Sequence, residues 1–193
     1  MKNMTIWNIA RACKGHLAVP AGKHTGTCPA AGMAVIRGYS GKEAAGIVID
    51  SRKVEPGDIF VAIRGERVDG HQFIREVFDK GAIAVVCEEE PEELPGPCIR
   101  VEDSLAALRQ IAAFYREQMP IPIVGITGSV GKTSTKEFVA SVLAQKYKTH
   151  KTQGNFNNEI GVPLTLLAMP EDTEAAVVEM GINHFGEMHR LSE

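Results

Sequence analysis

The sequence predicts an α/β protein in two parts. An N-terminal α/β domain is followed by a mostly parallel α/β domain built on a phosphate-binding loop. Apolar runs of strand length alternate with stretches of helical period along the chain. Residues 46–87 read as strand, loop, strand, helix, strand. From residue 121 the order is strand, glycine-rich turn, helix, strand, helix, strand, helix. Such alternation implies parallel strands with helices on their faces, and ligand sites at the strands' C-terminal ends.

Taken in order, residues 5–13 carry apolar side chains at 6, 9, 10 and 13. With Thr5 as N-cap and Gly15 as stop, they read as a short helix. Residues 15–46 are rich in Gly, Ala and small polar residues and read as loops with weak strands. Residues 46–50 and 59–63 are strands separated by a turn at Pro56-Gly57. A helix with apolar positions 73, 74, 77 and 78 ends at Gly81, and residues 82–87 form the next strand. Residues 88–97 are acidic and broken by prolines, a solvated loop. Residues 98–101 are a strand, and Asp103 or Ser104 caps a helix with apolar positions 105, 108, 111, 112 and 115. Pro120 and Pro122 stop that helix.

The stretch from 121 to 136, IPIVGITGSVGKTSTK, carries the most chemistry. Ile121, Ile123, Val124 and Ile126 form a short buried strand. Gly125, Gly128 and Gly131 supply a turn whose backbone N–H groups are free of side-chain bulk. Lys132 and Thr133 open a helix whose N-terminus adds partial positive charge. Lys132 can reach terminal phosphates, and the Thr133 hydroxyl can sit on Mg²⁺. The spacing G-x-x-G-x-x-G-K-T departs from the strict G-x-x-x-x-G-K-[ST] pattern, which would place a glycine where Ile126 stands. The candidate nucleotide contacts are Gly125, Thr127, Gly128, Ser129, Val130, Gly131, Lys132, Thr133 and Ser134. Apolar positions 138, 139, 142 and 143 give the following helix an amphipathic face.

Residues 146–151 read as a strand, 152–163 as an Asn- and Gly-rich polar loop, 164–169 as an apolar helix and 175–180 as a buried strand. Residues 187–193 begin another helix. The segments 125–133, 154–158 and 179–184 all leave or adjoin strand ends, so they can converge on one crevice. Mg²⁺ prefers oxygen ligands with one or two carboxylates. Glu179, at the end of a buried strand, is the natural carboxylate, because an unpaired buried one is costly. A Glu satisfied by backbone N–H groups or by a lysine is the alternative. Asn155, Asn157 and Asn158 can orient phosphate or substrate, but Asn-rich turns also arise from left-handed backbone geometry alone. His184, after a strand end, reads as binding metal, phosphate or nothing; because Mg²⁺ takes oxygen in preference to imidazole, it is at most a contact near substrate or metal. His71, after Asp69-Gly70, reads equally as a cap or an anion contact.

The 193 residues are 44% hydrophobic and 23% charged, with a formal net charge of −3. That is an ordinary globular composition, with no basic excess pointing to nucleic acid or an anionic membrane. No apolar run reaches spanning length, and the N-terminus lacks a signal-peptide core. Cys13, Cys28, Cys87 and Cys98 form no C-x-x-C pair and read as reduced thiols in a cytosolic protein, with a Cys87–Cys98 bridge left open. No Ser/His/Asp order or Cys/His pair stands out.

These motifs carry a family resemblance. The segment DSRKVEPGDIFVAIRG at 50–65, followed by DGHQF at 69–73, resembles the uridine-nucleotide-binding domain of the Mur ligases. GITGSVGKT at 125–133 resembles that family's phosphate loop, including its departure from the strict spacing. GNFNNEIGVPLTLL at 154–167 and VEMGINHFGE at 178–187 resemble the branch that adds D-alanyl-D-alanine to UDP-N-acetylmuramoyl-tripeptide. The similarity covers nearly the whole chain outside residues 15–45.

The resemblance implies an N-terminal UDP-sugar-binding domain at 1–102 and the first part of a central ATP-binding domain, truncated, at 103–193. It implies ATP and Mg²⁺ as cofactors and an ATP-driven amide ligase of peptidoglycan synthesis working through an acyl phosphate. Lys132 would hold the phosphates, Thr133 and Glu179 the metal, and Asn158 and His184 would act near substrate or metal. Ser51, Arg52, Gly70 and His71 would contact the uridine diphosphate sugar. The family is longer and has three domains, so the chain reads as an N-terminal piece not active alone. A cytoplasmic enzyme, monomeric at full length and without nucleic-acid or membrane partners, is expected. The alternatives are a third-residue-adding or folylpolyglutamate-type ligase, or a non-catalytic nucleotide- or UDP-sugar-binding module.

Overall fold

The computed structural model describes residues 1–20, 41–65 and 68–182. The expected helix at 187–193 and His184 lie outside these residues. The chain divides into two compact units, Met1–Ile111 and Ala112–Glu193.

The first unit is built on a five-stranded sheet in the order β1-β5-β4-β3-β2. The strands are β1 (His16–Ala18), β2 (Ile47–Val48), β3 (Ile59–Val61), β4 (Ala84–Cys87) and β5 (Cys98–Arg100). Strands β2 to β5 run parallel, and β1 lies antiparallel on β5, with Leu17 opposite Ile99. β1 is a short strand at a sheet edge, and its three residues offer too little alternation to be read from the sequence.

Helix α1 (Ile6–Ala12) is capped by Thr5, whose hydroxyl accepts from the Asn8 N–H. Helix α2 (Ile74–Asp79) packs Ile74 and Val77 with Phe60, Val85 and Cys98 in one apolar cluster. Ile59 and Val61 alternate to the opposite side of β3 and are equally buried, which is why this strand reads as a continuous apolar run. Cys13, Cys87 and Cys98 are free thiols, so the 87–98 bridge is absent. Strand β2 stops earlier than the apolar run at 46–50 suggests. Asp50 turns the chain into a 3₁₀ turn, Ser51–Lys53, by accepting from the Arg52 N–H at 3.1 Å.

Helix α3 (Ser104–Glu117) begins where Asp103 Oδ1 accepts from the Leu105 and Ala106 N–H groups at 2.8 and 2.9 Å. The boundary between the two units falls inside this helix. At its end, Arg116 donates to the carbonyls of Met119 and Ile121 and braces the proline-broken link into the next strand.

The second unit holds a parallel three-stranded sheet in the order β6-β8-β7: β6 (Ile123–Ile126), β7 (Thr149–Lys151) and β8 (Ala175–Glu179). Every residue of the central β8 is buried. β6 differs from the buried strand expected: it is an edge strand, and Val124 is 37% exposed. Helix α4 (Lys132–Leu143) also departs from expectation. Its buried residues are Lys136 and Ala140, while Phe138 and Val142 are exposed. Half of the apolar stripe read from the sequence, Phe138 and Val142, therefore faces away from the sheet, Val139 and Leu143 are half-buried, and a lysine is buried. Helix α5 (Gly161–Leu167) starts earlier than residue 164, because Asn158 Oδ1 accepts from the Gly161 N–H at 2.8 Å.

Candidate functional site

The site in the second unit is assembled from the ends of β6 and β8, the turn after β6, and the polar loop after β7. In the β6–β8 register Ile126 stands opposite Glu179, so the glycine-rich turn begins beside that carboxylate. The ladder runs one step further, with Met180 N–H donating to the Ile126 carbonyl at 2.8 Å. Gly128 and Gly131 sit at φ +143° and +76°, where a side chain is strained. Gly131 ends the turn as the residue before α4, so the free N–H groups of a twelve-residue helix face the turn. Lys132 folds its ammonium onto the Gly128 carbonyl at 2.8 Å. Ser129, Val130, Thr133 and Ser134 are exposed around the turn, as are Gly125 and Thr127 at its start.

Glu179 is 2% exposed and is the most heavily partnered side chain of the site. The Thr133 hydroxyl donates to its carboxylate at 3.1 Å, and Asn157 Nδ2 donates to Oε1 at 2.8 Å. The Lys136 ammonium lies 3.5 Å from Oε2. The buried hydroxyl of Thr152 accepts from the Glu179 backbone N–H at 2.9 Å and pins the strand end. Burial by itself pushes the Glu179 carboxyl up. The hydrogen bonds from Asn157 and Thr133 and the charge of Lys136 outweigh it and hold the carboxyl below the usual carboxylate range.

Of the residues singled out in the sequence, Gly128, Gly131, Lys132, Thr133 and Glu179 come together. The asparagine that reaches Glu179 is Asn157. Asn158 spends its amide oxygen capping α5 through the Ile160 and Gly161 N–H groups. Thr152 and Lys136 escape a reading of the sequence, and Asn157 is indistinguishable there from Asn155 and Asn158. Each is an ordinary polar residue until β8 brings Glu179 to it. One signal exists for Lys136. It lies three and four residues after Thr133 and Lys132, which on a helix is the same face.

The oxygen atoms fit a small hard cation. Ligand oxygens about 2.1 Å from Mg²⁺ at right angles lie roughly 3.0 Å apart, and Thr133 Oγ1 stands 3.1 Å from Glu179 Oε2. Among the described residues no group of three or more His, Cys, Asp or Glu gathers as a metal cage. Thr133 and Glu179 would thus supply two oxygens of a shell completed by phosphate and water, a common Mg²⁺ arrangement.

The second group lies in the first unit. Ser51 is buried, and its carbonyl accepts from the Lys80 ammonium at 2.8 Å. Arg52 is exposed and makes a two-pronged pair with Asp50, at 2.9 and 2.8 Å. Gly70 opens a 3₁₀ turn, Gly70–Phe73, where a Cβ would come within 2.9 Å of the Ile63 backbone nitrogen. It is glycine because two backbones meet there. The His71 ring is used on both sides. Its Nε2 accepts from the Glu88 N–H at 2.9 Å, which leaves Nδ1 as the donor to Asp69 Oδ1 at 2.6 Å. The cap of this turn is Asp69, which accepts from the His71 N–H at 2.9 Å, and an anion contact through a His71 ring nitrogen would replace one of the two ring bonds. A cleft of about 430 Å³ lies beside it, lined by Gln72, Arg75, Glu92 and Leu94 among others.

Residues 126–193 match the Mur ligase middle domain, and residues 43–116 match the Mur ligase family catalytic domain. With a phosphate-loop turn facing a buried glutamate at a parallel strand end, this chain belongs to the Mur ligase family. Its fold is that family's N-terminal domain with part of the middle domain. Among its relatives, the UDP-N-acetylmuramoyl-tripeptide--D-alanyl-D-alanine ligase of Bacillus subtilis is 42% identical over 197 residues, covering 100% of this chain and 39% of that protein. The ligase of the same name from Escherichia coli is 43% identical over 142 residues, covering 74% of this chain and 31% of its own length. The Acinetobacter baumannii UDP-N-acetylmuramoylalanyl-D-glutamyl-2,6-diaminopimelate--D-alanyl-D-alanyl ligase superposes with a TM-score of 0.80 at 33% identity, over 97% of this chain and 38% of its own. The MurF ligase of Thermotoga maritima, solved in complex with ADP, gives 0.70 at 37% identity over 75% of this chain and 34% of its own. The chain thus spans roughly a third to two fifths of the length of these relatives. Among the described residues no helix is long and apolar enough to cross a membrane.

Proposed function

We propose that this chain carries the nucleotide-phosphate and UDP-sugar sites of an ATP-dependent amide ligase of peptidoglycan-precursor synthesis. Residues 1–102 and 103–193 are its two domains. The ligase joins D-alanyl-D-alanine to UDP-N-acetylmuramoyl-tripeptide in the cytoplasm, as a monomer at full length. The observation that carries this reading is Thr133, at the mouth of the Gly128–Gly131 turn, facing a Glu179 carboxylate held ionised at the end of β8. The names of the relatives support the substrates, and the ADP in the Thermotoga maritima ligase supports the nucleotide.

In the reaction proposed, the tripeptide carboxylate attacks the γ-phosphorus and ADP departs, giving an acyl phosphate. The D-alanyl-D-alanine amine then adds to the acyl carbon, and phosphate leaves. Phosphoryl transfer asks a protein mainly for positioning and charge neutralisation. The N–H groups of the turn and the start of α4 would bind β- and γ-oxygens, and Lys132 would leave the Gly128 carbonyl to join them. Thr133 and Glu179 would hold Mg²⁺, which when bound offsets phosphate charge. Asn157 fixes the rotamer of Glu179. Ser51, Arg52, Gly70 and His71 are the proposed UDP-sugar contacts, and Asn158 and His184 act near substrate or metal.

Titration calorimetry tests binding directly. ATP with Mg²⁺ and the UDP-linked tripeptide should each bind this chain. Lys132→Ala should weaken ATP at least about tenfold, the scale of one charge-assisted hydrogen bond, and leave the UDP-linked ligand unchanged. Unchanged ATP binding in that variant would overturn the phosphate-loop assignment.

A further inference from the structure

Lys136 is the one nearly fully buried cation of the second unit's described residues, and the function above does not use it. Its side chain is 1% exposed. The ammonium lies 3.5 Å from Glu179 Oε2 and 3.5 Å from Glu137 Oε1. Glu137 is about half exposed and also pairs with Lys151. A buried ammonium is costly, and replacing a buried ion pair by apolar packing is often neutral or stabilising. The position lies on the sheet-facing side of α4 beside Ala140, where an apolar residue would pack. What the lysine adds there is charge.

The charges around Thr133 can be counted. Glu179 and Glu137 contribute two negative charges, Lys136 and Lys151 cancel them, and Lys132 leaves the mouth of the turn positive. A free divalent cation therefore meets no net attraction, although the oxygens of Thr133 and Glu179 are correctly spaced for it. A polyphosphate reverses that balance, since it satisfies Lys132 and the helix N-terminus and brings several negative charges of its own.

We propose that Lys136 is a positioning residue that neutralises Glu179, so that a divalent cation is accepted between Thr133 and Glu179 only together with a polyphosphate nucleotide. This rests on reading the 125–134 turn as the nucleotide site, and it goes further by assigning the order in which charge enters it.

Mn²⁺ is the probe, followed by electron paramagnetic resonance on the 193-residue chain, alone and with ADP or a non-hydrolysable ATP analogue. The wild type should bind Mn²⁺ weakly alone and at least about tenfold more tightly with nucleotide present. Lys136→Gln removes the charge and keeps a hydrogen-bond donor toward Glu179. It should bind Mn²⁺ alone about tenfold more tightly than wild type, the least expected from deleting a unit charge a few ångströms from a divalent ion. Lys136→Arg should behave as wild type. Adding Glu179→Gln to Lys136→Gln should abolish the gain and tie it to that carboxylate. A merely structural lysine would lower the melting temperature without moving bare-cation affinity. A folded Lys136→Gln with wild-type Mn²⁺ affinity overturns the proposal. If Lys136→Gln fails to fold, the wild type decides: Mn²⁺ held as tightly without nucleotide as with it overturns the proposal, and nucleotide-dependent Mn²⁺ retained in Lys136→Arg upholds it. Absence of nucleotide binding to the wild type would instead sink the reading of the turn, while the bare-cation comparison would still decide the role of Lys136.

Discussion

Gly131 shows how much one residue can determine. Its φ of +76° is open to glycine, and nothing lies within 4 Å of where a Cβ would stand. Gly131→Ala is therefore a test of backbone strain without a clash. The variant should lose about 1 kcal/mol of stability in urea unfolding, and lose nucleotide affinity as the turn's N–H groups shift. Glu179 makes a different test. Glu179→Gln leaves Lys136 without its buried counter-charge and with only the half-exposed Glu137 at 3.5 Å, and breaking a buried pair from one side costs on the order of 3 kcal/mol. Restoration of most of that loss by adding Lys136→Met would show that the unpaired ammonium was the cause. His150 supplies a pH signature. Burial pushes its imidazole down, and the bond between Nε2–H and the Thr165 carbonyl at 2.9 Å opposes this only in part. The unfolded chain thus takes up the proton first, near pH 6.5. Stability should fall as pH drops through about 6.5 and continue falling until the folded-state value is passed. Urea midpoints at about pH 7.5 and 5.5, on either side of that value, check this, with His150→Gln reducing the difference.

At the scale of the element, capping decides where helices begin. Asp103 accepts from two N–H groups of α3, so Asp103→Ala should cost about 1 kcal/mol, read as a lower melting temperature. The sequence narrowed this cap to Asp103 or Ser104, because short polar side chains stand at the start of a 3.6-residue apolar period, and the structure chose Asp103. The sequence made the apolar stripe of α4 legible too, but not which way that stripe faces. Phe138 and Val142 have helical spacing whether they meet a sheet or solvent. The choice was made by Lys136, drawn inward by a carboxylate 43 positions further along the chain. No local pattern contains that attraction. Asn157 and Asn158 could not be separated for the same reason. Their neighbouring positions look alike until α5 takes the oxygen of one and Glu179 takes the amide of the other.

For the molecule as a whole, the consequence is surface. Among the described residues, the sheet of the second unit has β6 and β7 as edges. Val124 is 37%, Phe138 72% and Val142 71% exposed beside them. Open edges and exposed large apolar side chains promote association. Sedimentation velocity at rising concentration should show this chain self-associating, and Phe138→Glu with Val142→Lys should shift it toward monomer.

Local rules were enough for the alternation of strands and helices, the glycine turn with Lys132 and Thr133, and the family. Periodicity, capping and backbone freedom all act within a few residues, so they are written in the order of the amino acids. Folding in three dimensions was needed to make β6 an edge, to brace His71 between Asp69 and Glu88, and to surround Glu179 with Thr133, Lys136 and Asn157. Burial and charge pairing join residues far apart in the chain. They come into being only when parallel strands set Ile126 opposite Glu179.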